Sequence, residues 1–240
     1  MYQGCKIIAL VPAFNEENKI GRVIERTDLT LVDTLLVIDD CSTDSTASVA
    51  RSHGAEVLTL KRRRGVGAAL RSGFDYARGG GYDIAVIMAG NNKDDPSEIR
   101  RLLDPICENK KDFVIGSRYM AGGGCGGDMP LHRRFATRFH PWLLGKLSSA
   151  KLTESTNGFR AIRLTILDDP RINLNQRWLD AYGLEVYTLW MVLTLGYEHA
   201  EVPCTKTYPP RSSGYTKMVP IISWWSILRP MLLLRLGLRR

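Results

Sequence analysis

The sequence predicts an α/β fold in which a mainly parallel sheet carries helices on both faces. Short runs of β-branched and aliphatic residues alternate with longer helical segments through the first half of the chain. Polar clusters directly follow three of the apolar runs, and ligands of open parallel sheets bind at such strand ends. With 240 residues, 44% hydrophobic and 24% charged, the chain is large enough for one domain with an appendage.

The predicted strands are apolar runs bounded by turn-forming residues, and the predicted helices follow polar or Pro-containing turns. Ser42 or Thr43 is a suitable N-cap for the second helix, and Asp95 before Pro96 is a typical helix start. In chain order we expect a strand at 6–11, a helix from about 16, a strand at 35–38, a helix from 42 or 43 to 53, a strand at 55–60, a helix at 67–77, a strand at 84–88, a helix at 96–107 and a strand at 113–116.

The distribution of charge and the spacing of the cysteines indicate which binding partners and which cellular compartment suit this protein. The formal charge of +8 would suit a nucleic acid or an anionic surface, but no acidic residue follows Glu201 whereas seven basic residues do. We therefore expect an anionic membrane surface as the partner and no nucleic acid. The five scattered cysteines show no CxxC spacing and the N-terminus has no signal-peptide pattern, which favours a cytoplasmic protein with reduced thiols.

The C-terminal segment 218–240 is rich in Ile, Leu, Trp and Met. Its longest uncharged run, 218–228, is well short of the ~20 residues that span a bilayer. Trp224, Trp225 and the nearby arginines predict an amphipathic helix at a membrane interface. Packing against the rest of the chain or against a second subunit is the alternative. We expect a folded domain over 1–217 and peripheral membrane association through 218–240. The sequence predicts no particular oligomeric state.

Three polar clusters lie at successive strand ends, at 12–17, 39–40 and 89–95. Taken singly, Asn and Asp after a strand are most often turn formers or helix caps. Taken together at one edge of a parallel sheet, they predict a ligand site. Asp94 fits a catalytic base, a ligand, or a capping or turn residue.

Six motifs follow one another along the chain: VPAFNEE at 11–17, VIDDCSTDST at 37–46, RGVGAALRSGF at 64–74, IGSRY at 115–119, TNGFRA at 156–161 and RSSGYTKM at 211–218. Together they resemble glycosyltransferase family 2, and within it the polyprenyl-phosphate and dolichol-phosphate hexosyltransferases. The resemblance implies a GT-A (Rossmann-like) fold. It also implies an inverting transfer of a hexose from a UDP- or GDP-sugar to a polyprenyl or dolichyl phosphate at the cytosolic membrane face.

The resemblance implies a donor nucleotide site at the strand ends. Asp40 is similar to the family acid that contacts the base or ribose, and a carboxylate can accept two hydrogen bonds from such groups. For Asp39, capping of the following helix is the alternative. The residues expected to bind the donor nucleotide are Pro12, Ala13, Asn15, Glu16, Asp39, Asp40, Gly65, Ala89 and Gly90.

The loop at 89–93 departs from the family pattern, which has two metal-binding acids separated by one residue. Ala89 stands where the first acid is expected and Asn91 where the second is expected. Lys93 stands where a Gln often helps to coordinate the cation. Two interpretations stay open. In the first, Asn91, alone or together with Asp94 or Asp95, still holds a donor-bridged Mg²⁺ or Mn²⁺. In the second, Lys93 partly replaces the metal by neutralising the diphosphate.

The resemblance further implies a basic cluster around the phosphates, because guanidinium groups bind phosphate oxygens bidentately. Catalytic roles are expected for Asn91, Lys93, Arg118, Arg133 and Arg211. Contacts to the acceptor or the sugar are expected from Arg118, Arg133, Thr137, Glu154, Asn157 and Lys217. The glycines at 122–127 predict a mobile loop over the site.

Two other functions stay open. One is a related transferase with a non-lipid glycan acceptor, and the other is a catalytically silent, transferase-like binding subunit, which the loss of the acid at Ala89 would suit.

Overall fold

A computed structural model describes residues 1–108, 110–209 and 222–238. Arg211 and Lys217, together with the predicted boundary at 217, lie outside the described residues. In chain order the helices and strands are β1 (Ile7–Ala13), α1 (Glu17–Glu25), β2 (Thr34–Asp39), α2 (Thr46–Ser52), β3 (Glu56–Thr59), α3 (Val66–Gly79), β4 (Ile84–Ile87), α4 (Ile99–Cys107), β5 (Phe113–Ser117), β6 (Gly124–Gly127), α5 (Leu131–Ser148), β7 (Arg160–Arg163), α6 (Gly183–Leu195), β8 (His199–Pro203), β9 (Thr205–Tyr208) and α7 (Ile222–Arg235).

Seven of these strands form one sheet in the order β3-β2-β1-β4-β7-β5-β8. All neighbouring pairs are parallel except those of β7, which runs antiparallel to both β4 and β5. The predicted mainly parallel α/β sheet is therefore confirmed. Strands β6 and β9 pair in parallel as a separate two-stranded sheet.

The continuous apolar sequence of β1 explains its central position, since a strand covered on both faces cannot alternate polar and apolar residues. Successive side chains point to opposite faces. Ile8 and Leu10 join the core beneath α3 and α6, while Ile7 and Val11 join the core beneath α1 and α4. The sheet is therefore the middle layer of three, and its carboxyl edge is left for a ligand site.

Two helix starts differ in detail from the sequence expectation. Helix α2 begins at Thr46 with Ser45 as N-cap, not at 42 or 43. The reason is that 42 and 43 are tied to Asn15 by hydrogen bonds, so the helix starts only after Asp44, whose carboxylate accepts from the Thr46 N–H at 2.9 Å. The predicted start at 96 is a 3₁₀ turn that precedes α4, and Asp95 caps it as expected.

The glycine run at 122–127 is not a loop throughout, because Gly124–Gly127 forms strand β6. The strand pairs with β9, residue Gly124 lying opposite Thr205. No local pattern predicts this pairing, since a glycine-rich strand has neither β-branched residues nor alternation. The partner strand lies about 80 residues further along the chain.

Helix α7 packs on the rest of the chain along part of its length. Met231 is fully buried and Leu234 nearly so, in the same core as α6. Trp225 and Leu232 are exposed. One side of α7 therefore packs against the rest of the chain, as the alternative to a membrane contact predicted. Its role at a membrane interface stays a prediction. Within the described ranges, no helix is both long and apolar enough to cross a membrane.

Candidate active site

A cavity of about 640 Å³ opens at the carboxyl edge of the sheet. Its floor comes from the ends of β1, β2, β4 and β5, its wall from α5, and its far side from the segment before β7 and the start of α6. This is where the strand-end clusters predicted a ligand site. The parallel strands bring their carboxyl ends together, although the clusters are far apart in sequence.

Most of the predicted site residues line this cavity. Those that do so are Pro12, Ala13, Glu16, Asp40, Gly65, Ala89, Gly90, Asn91, Lys93, Arg118, Arg133 and Thr137. Four others lie outside its lining, namely Asn15, Asp39, Glu154 and Asn157.

Asp40 has a structural contact that the sequence did not indicate. Its two carboxylate oxygens accept hydrogen bonds from the backbone N–H groups of Arg64 and Gly65, each at 2.8 Å. The carboxylate therefore fastens the loop before α3 to the end of β2. It lies at the cavity wall, so a contact to the donor nucleotide stays a prediction beside this structural role.

Asn15 and Asp39 hold turns instead of facing the cavity. The side-chain oxygen of Asn15 accepts from the Thr43 N–H at 2.9 Å. Asp39 is buried and accepts from the Ser42 N–H at 3.0 Å, which closes the turn after β2. Asp39 is not the cap of α2 either, because that helix begins later, at Thr46. Their assignment to the donor site stays a prediction beside these structural roles.

Glu154 is completely buried and lies outside the cavity lining, so its expected contact with the sugar stays a prediction beside a structural role. Its carboxylate pairs with Arg118 at 2.6 Å and also accepts from the N–H groups of Ser155 and Thr156. Burial opposes the charge of Arg118, but the attraction of Glu154 outweighs it and raises the pKa of the guanidinium above its ordinary value. The Arg118 guanidinium therefore lines the cavity with its charge paired to Glu154, and this ion pair fixes its orientation.

Asn157 is also completely buried, behind the cavity wall. Its amide nitrogen donates to the Gly116 carbonyl at 2.8 Å, and its oxygen accepts from the Lys206 ammonium at 2.8 Å. Thr137 does line the cavity, but its hydroxyl is engaged with Tyr119 and with the Arg133 carbonyl. The Asn157 amide therefore joins β5 to β9, and its expected acceptor contact stays a prediction.

The loop after β4 contains the chain's departure from the family pattern. Asp94 holds this loop in place, because its carboxylate pairs with Lys206 at 2.5 Å and accepts from the Ala89 N–H at 3.2 Å. The Asn91 side-chain oxygen accepts from the Lys93 N–H at 3.2 Å, which closes a local turn. These contacts fix the loop and leave Lys93 on the cavity lining.

Positive charge dominates the cavity. Among the described residues, seven Lys or Arg side chains and three carboxylates line it. Burial lowers the pKa of the Lys93 ammonium to about 8, and repulsion from Arg133 and Lys206 adds to the effect. A buried ammonium among other cations is stabilised by an anionic ligand. The cavity is therefore suited to phosphate groups.

Several cavity residues were missed by the sequence interpretation. Lys206, from β9, lies outside the six sequence motifs. The only sequence signal for this residue is its place in a short run between Cys204 and Tyr208. Arg160 lies within the 156–161 motif but was not assigned a role. It donates to three backbone carbonyls, including that of Glu185 at 2.7 Å, and so joins β7 to α6.

Arg63 also lines the cavity, with its guanidinium 4.0 Å from the centre of the Phe14 ring. His140 is buried beside the cavity, and its Nδ1 lies 2.7 Å from the Ser155 hydroxyl. Burial lowers the pKa of His140 to about 4, so this imidazole is neutral near pH 7. No sequence pattern distinguished either residue from its neighbours.

Comparison with known proteins agrees with the predicted fold and family. The model of the family described as "Glycosyl transferase family 2" matches residues 8–169. The chain is 30% identical over 222 residues to the undecaprenyl-phosphate mannosyltransferase of Micrococcus luteus, covering 89% of this chain and 87% of that protein. It is 29% identical over 224 residues to the polyprenol monophosphomannose synthase of Mycolicibacterium smegmatis, covering 89% and 81%.

Among solved structures, the glucosyl-3-phosphoglycerate synthase of Mycobacterium tuberculosis in complex with Mn²⁺ and UDP-glucose superposes with a TM-score of 0.72. The match has 23% sequence identity and covers 99% of this chain and 81% of that one. This likeness supports the predicted GT-A-like fold. With the family match over two thirds of its length, the chain belongs to glycosyl transferase family 2 and is a glycosyltransferase.

Proposed function

We propose that this enzyme transfers a hexose from a nucleoside diphosphate sugar to a polyprenyl phosphate at a membrane surface. One observation carries the proposal: helix α5 lines the cationic cavity with one face and exposes a row of aromatic side chains on another. The names of the two polyprenyl-phosphate relatives support the same acceptor class. The proposal includes the expected location of the enzyme, which is peripheral association with the cytosolic face of a membrane.

The charge of the cavity suits a reaction between two phosphate-bearing substrates. Arg133 extends from α5 into the cavity, opposite the strand ends that carry the predicted donor residues. Its guanidinium lies 5.4 Å from the centre of the Tyr208 ring, which helps to orient it. We assign Arg133 to the acceptor phosphate, as the sequence predicts, because a guanidinium can bind two phosphate oxygens at once.

The transfer needs little proton chemistry. An oxygen of the acceptor phosphate, already anionic near neutral pH, attacks the anomeric carbon and forms the new carbon–oxygen bond. The bond from that carbon to the donor diphosphate breaks, and its electron pair leaves on the diphosphate oxygen. A single displacement of this kind inverts the anomeric configuration. The enzyme contributes alignment of the two phosphates and neutralisation of the leaving group.

The exposed row on α5, here the α5 ridge, consists of Leu131, Phe135, Phe139 and Trp142. Their spacing along the helix places them on one side. Leu131, Phe135 and Trp142 are 78%, 69% and 56% exposed, a large apolar surface for a water-facing helix. The Phe135 and Phe139 rings stack at 5.9 Å, and the Phe139 and Trp142 rings lie 5.5 Å apart.

The α5 ridge is flanked by two exposed arginines, Arg134 and Arg138. Aromatic side chains beside cations suit the boundary between lipid tails and anionic headgroups. Phe139 belongs both to the α5 ridge and to the cavity lining, so a lipid phosphate held at the ridge is next to the cavity. The membrane contact predicted for 218–240 is therefore joined by a second one on α5.

A double substitution tests the α5 ridge. Phe135→Ser with Trp142→Ser should reduce binding to phosphatidylglycerol-containing liposomes at least about tenfold, because two aromatic groups that would enter the bilayer interface are lost. Flotation or co-sedimentation measures the bound fraction. Leu29→Ser removes another exposed apolar residue, 60% exposed and outside the ridge, and should leave liposome binding unchanged. Equal binding by the ridge variant and the wild type would contradict this assignment.

The function itself is tested by product analysis. The protein is incubated with undecaprenyl phosphate in anionic vesicles and, in turn, with UDP-glucose, UDP-galactose, UDP-N-acetylglucosamine and GDP-mannose. We expect mass spectrometry of the lipid phase to show a polyprenyl phosphohexose with one of these donors, which also identifies the base and sugar. Transfer to a soluble glycan with none to the lipid phosphate would favour the non-lipid acceptor. No turnover with any donor would contradict the proposed function.

A further inference from the structure

The loop after β4 does not offer the ligands that a divalent cation needs. Mg²⁺ and Mn²⁺ are held by carboxylate and other oxygen ligands together with substrate phosphates. Ala89 provides no side-chain ligand, and the one oxygen of the Asn91 amide accepts from the Lys93 N–H. Both oxygens of Asp94 are engaged, one by Lys206 and one by the Ala89 N–H.

Other acids do not replace the missing ligands. Asp95 accepts from Arg26 at 2.7 Å and from the Ser97 N–H, so its carboxylate caps the turn before α4. Among residues 1–108, 110–209 and 222–238, no group of three or more His, Cys, Asp or Glu side chains could hold a metal ion. The residues present therefore do not fit the Mg²⁺ or Mn²⁺ that the family pattern implies, and Asn91 is not assigned as a metal ligand.

The backbone around Lys93 is tied to strand β9. The Lys93 carbonyl accepts from the Thr207 N–H at 2.8 Å, which ties the loop to β9. The next residue, Asp94, forms a buried ion pair with Lys206 on the same strand. These two contacts fix the backbone on either side of the lysine side chain. The Lys93 ammonium lies 5.7 Å from the centre of the Tyr208 ring, and the Arg133 guanidinium lies near the same ring.

Three other cations of the cavity have carboxylate partners. Arg118 pairs with Glu154 at 2.6 Å, Lys206 pairs with Asp94 at 2.5 Å, and Lys19 pairs with Glu16 at 2.9 Å. Each of these charges is already balanced by a carboxylate. Lys93 is buried and follows Ala89, Gly90 and Asn91 along the same wall of the cavity.

We propose that the Lys93 ammonium takes the place of the divalent cation, neutralising the leaving diphosphate, and that this enzyme transfers sugar without a metal. The inference rests on the proposed function, because it needs a nucleoside diphosphate donor. As the bond to the anomeric carbon breaks, the electron pair moves to the β-phosphate oxygen, and the ammonium stabilises that charge by a hydrogen bond. No proton needs to be transferred, since a nucleoside diphosphate leaves as an anion.

Calorimetric titration with UDP and with GDP tests the proposal, each in EDTA and in Mn²⁺. The wild type should bind one of them, with affinities in the two buffers that agree within about twofold, since no site uses the cation. Lys93→Met should weaken that affinity about 10- to 100-fold, the loss expected for a charge-assisted hydrogen bond to phosphate. Lys93→Arg keeps the charge and should retain most of the affinity.

Lys151→Met is the matched control, because Lys151 is exposed and outside the cavity lining. It should bind the nucleotide as the wild type does. Circular dichroism melting curves should show that both Lys93 variants are folded. Sugar transfer to polyprenyl phosphate should likewise continue in EDTA and fall with Lys93→Met.

The outcomes separate this inference from the proposed function. Nucleotide binding or transfer that requires Mn²⁺ would overturn the role of Lys93 and leave the proposed transferase activity standing. A folded Lys93→Met variant with wild-type affinity in EDTA would also overturn it. A wild-type protein that binds neither UDP nor GDP in either buffer would overturn the proposed function and this inference together.

Discussion

Replacing Glu154 with alanine should lower the free energy of unfolding by about 3–5 kcal/mol, because it leaves a buried guanidinium without its carboxylate. Arg118 and Glu154 are both almost inaccessible to solvent, and the pair is 2.6 Å long. The same carboxylate accepts the backbone N–H groups of Ser155 and Thr156, which would also lose their partner. Urea unfolding followed by circular dichroism measures the change.

Two controls show whether burial is the cause. Glu198→Ala breaks an exposed ion pair with Lys111 and should change stability little. The double variant Arg118→Leu with Glu154→Leu removes both charges and should be more stable than Glu154→Ala. If Glu154→Ala instead keeps wild-type stability and raises the KM for the sugar donor, the carboxylate faces the substrate and the buried ion pair is not its main role.

Replacing Gly67 with alanine should destabilise the protein by about 3 kcal/mol, at the upper end of typical overpacking costs. An added Cβ would lie 1.9 Å from the backbone carbonyl oxygen of Leu179 and 2.6 Å from that of Ala181. Backbone atoms cannot rotate away as a side chain can. The Gly67 N–H also donates to the Ala181 carbonyl at 3.0 Å, so the first turn of α3 and the segment before α6 would both move.

Gly79→Ala is the matched control, because Gly79 lies in the same helix. Apart from its chain neighbours and the helix's own backbone, no atom of the described residues comes within 4 Å of the position that its new methyl group would take. It should leave stability unchanged or raise it slightly. Thermal and urea unfolding of the two variants give the comparison. Because Ala181 and Gly65 both line the cavity, Gly67→Ala should also weaken nucleotide binding. Equal stability of the two variants would show that the helix accepts the methyl group without strain.

The first half of the fold could be predicted closely, because each of its elements is encoded by neighbouring residues. Strands β1, β2, β3, β4 and β5 fall within two or three residues of the predicted ranges. Local patterns of apolar residues and turn formers decide such elements. Strands β6, β7, β8 and β9 were missed. Strand β7 is four residues long and antiparallel within a parallel sheet, so no local pattern marks it.

The candidate site likewise has one part that the sequence predicts and another that depends on the tertiary structure. Its strand-end residues, such as Asp40 and Asn91, were found because loops after parallel strands converge by topology. The second half of the site depends on long-range packing. Glu154 and Asn157 look like accessible polar residues in the sequence, but Arg118 and Lys206, far away along the chain, bury and engage them.

The sequence by itself determined the α/β class, the family, the location of the site at the strand ends, and the absence of the usual acid at Ala89. These follow from residue identity and short-range order, which are fully present in the chain. Only the tertiary structure decided which charges are already balanced, because an ion pair depends on what folding brings within a few ångströms. It pairs Asp94 with Lys206 and keeps Lys93 on the cavity wall. It also exposes Phe135 and Trp142 on a face of α5 that the described part of the chain leaves uncovered.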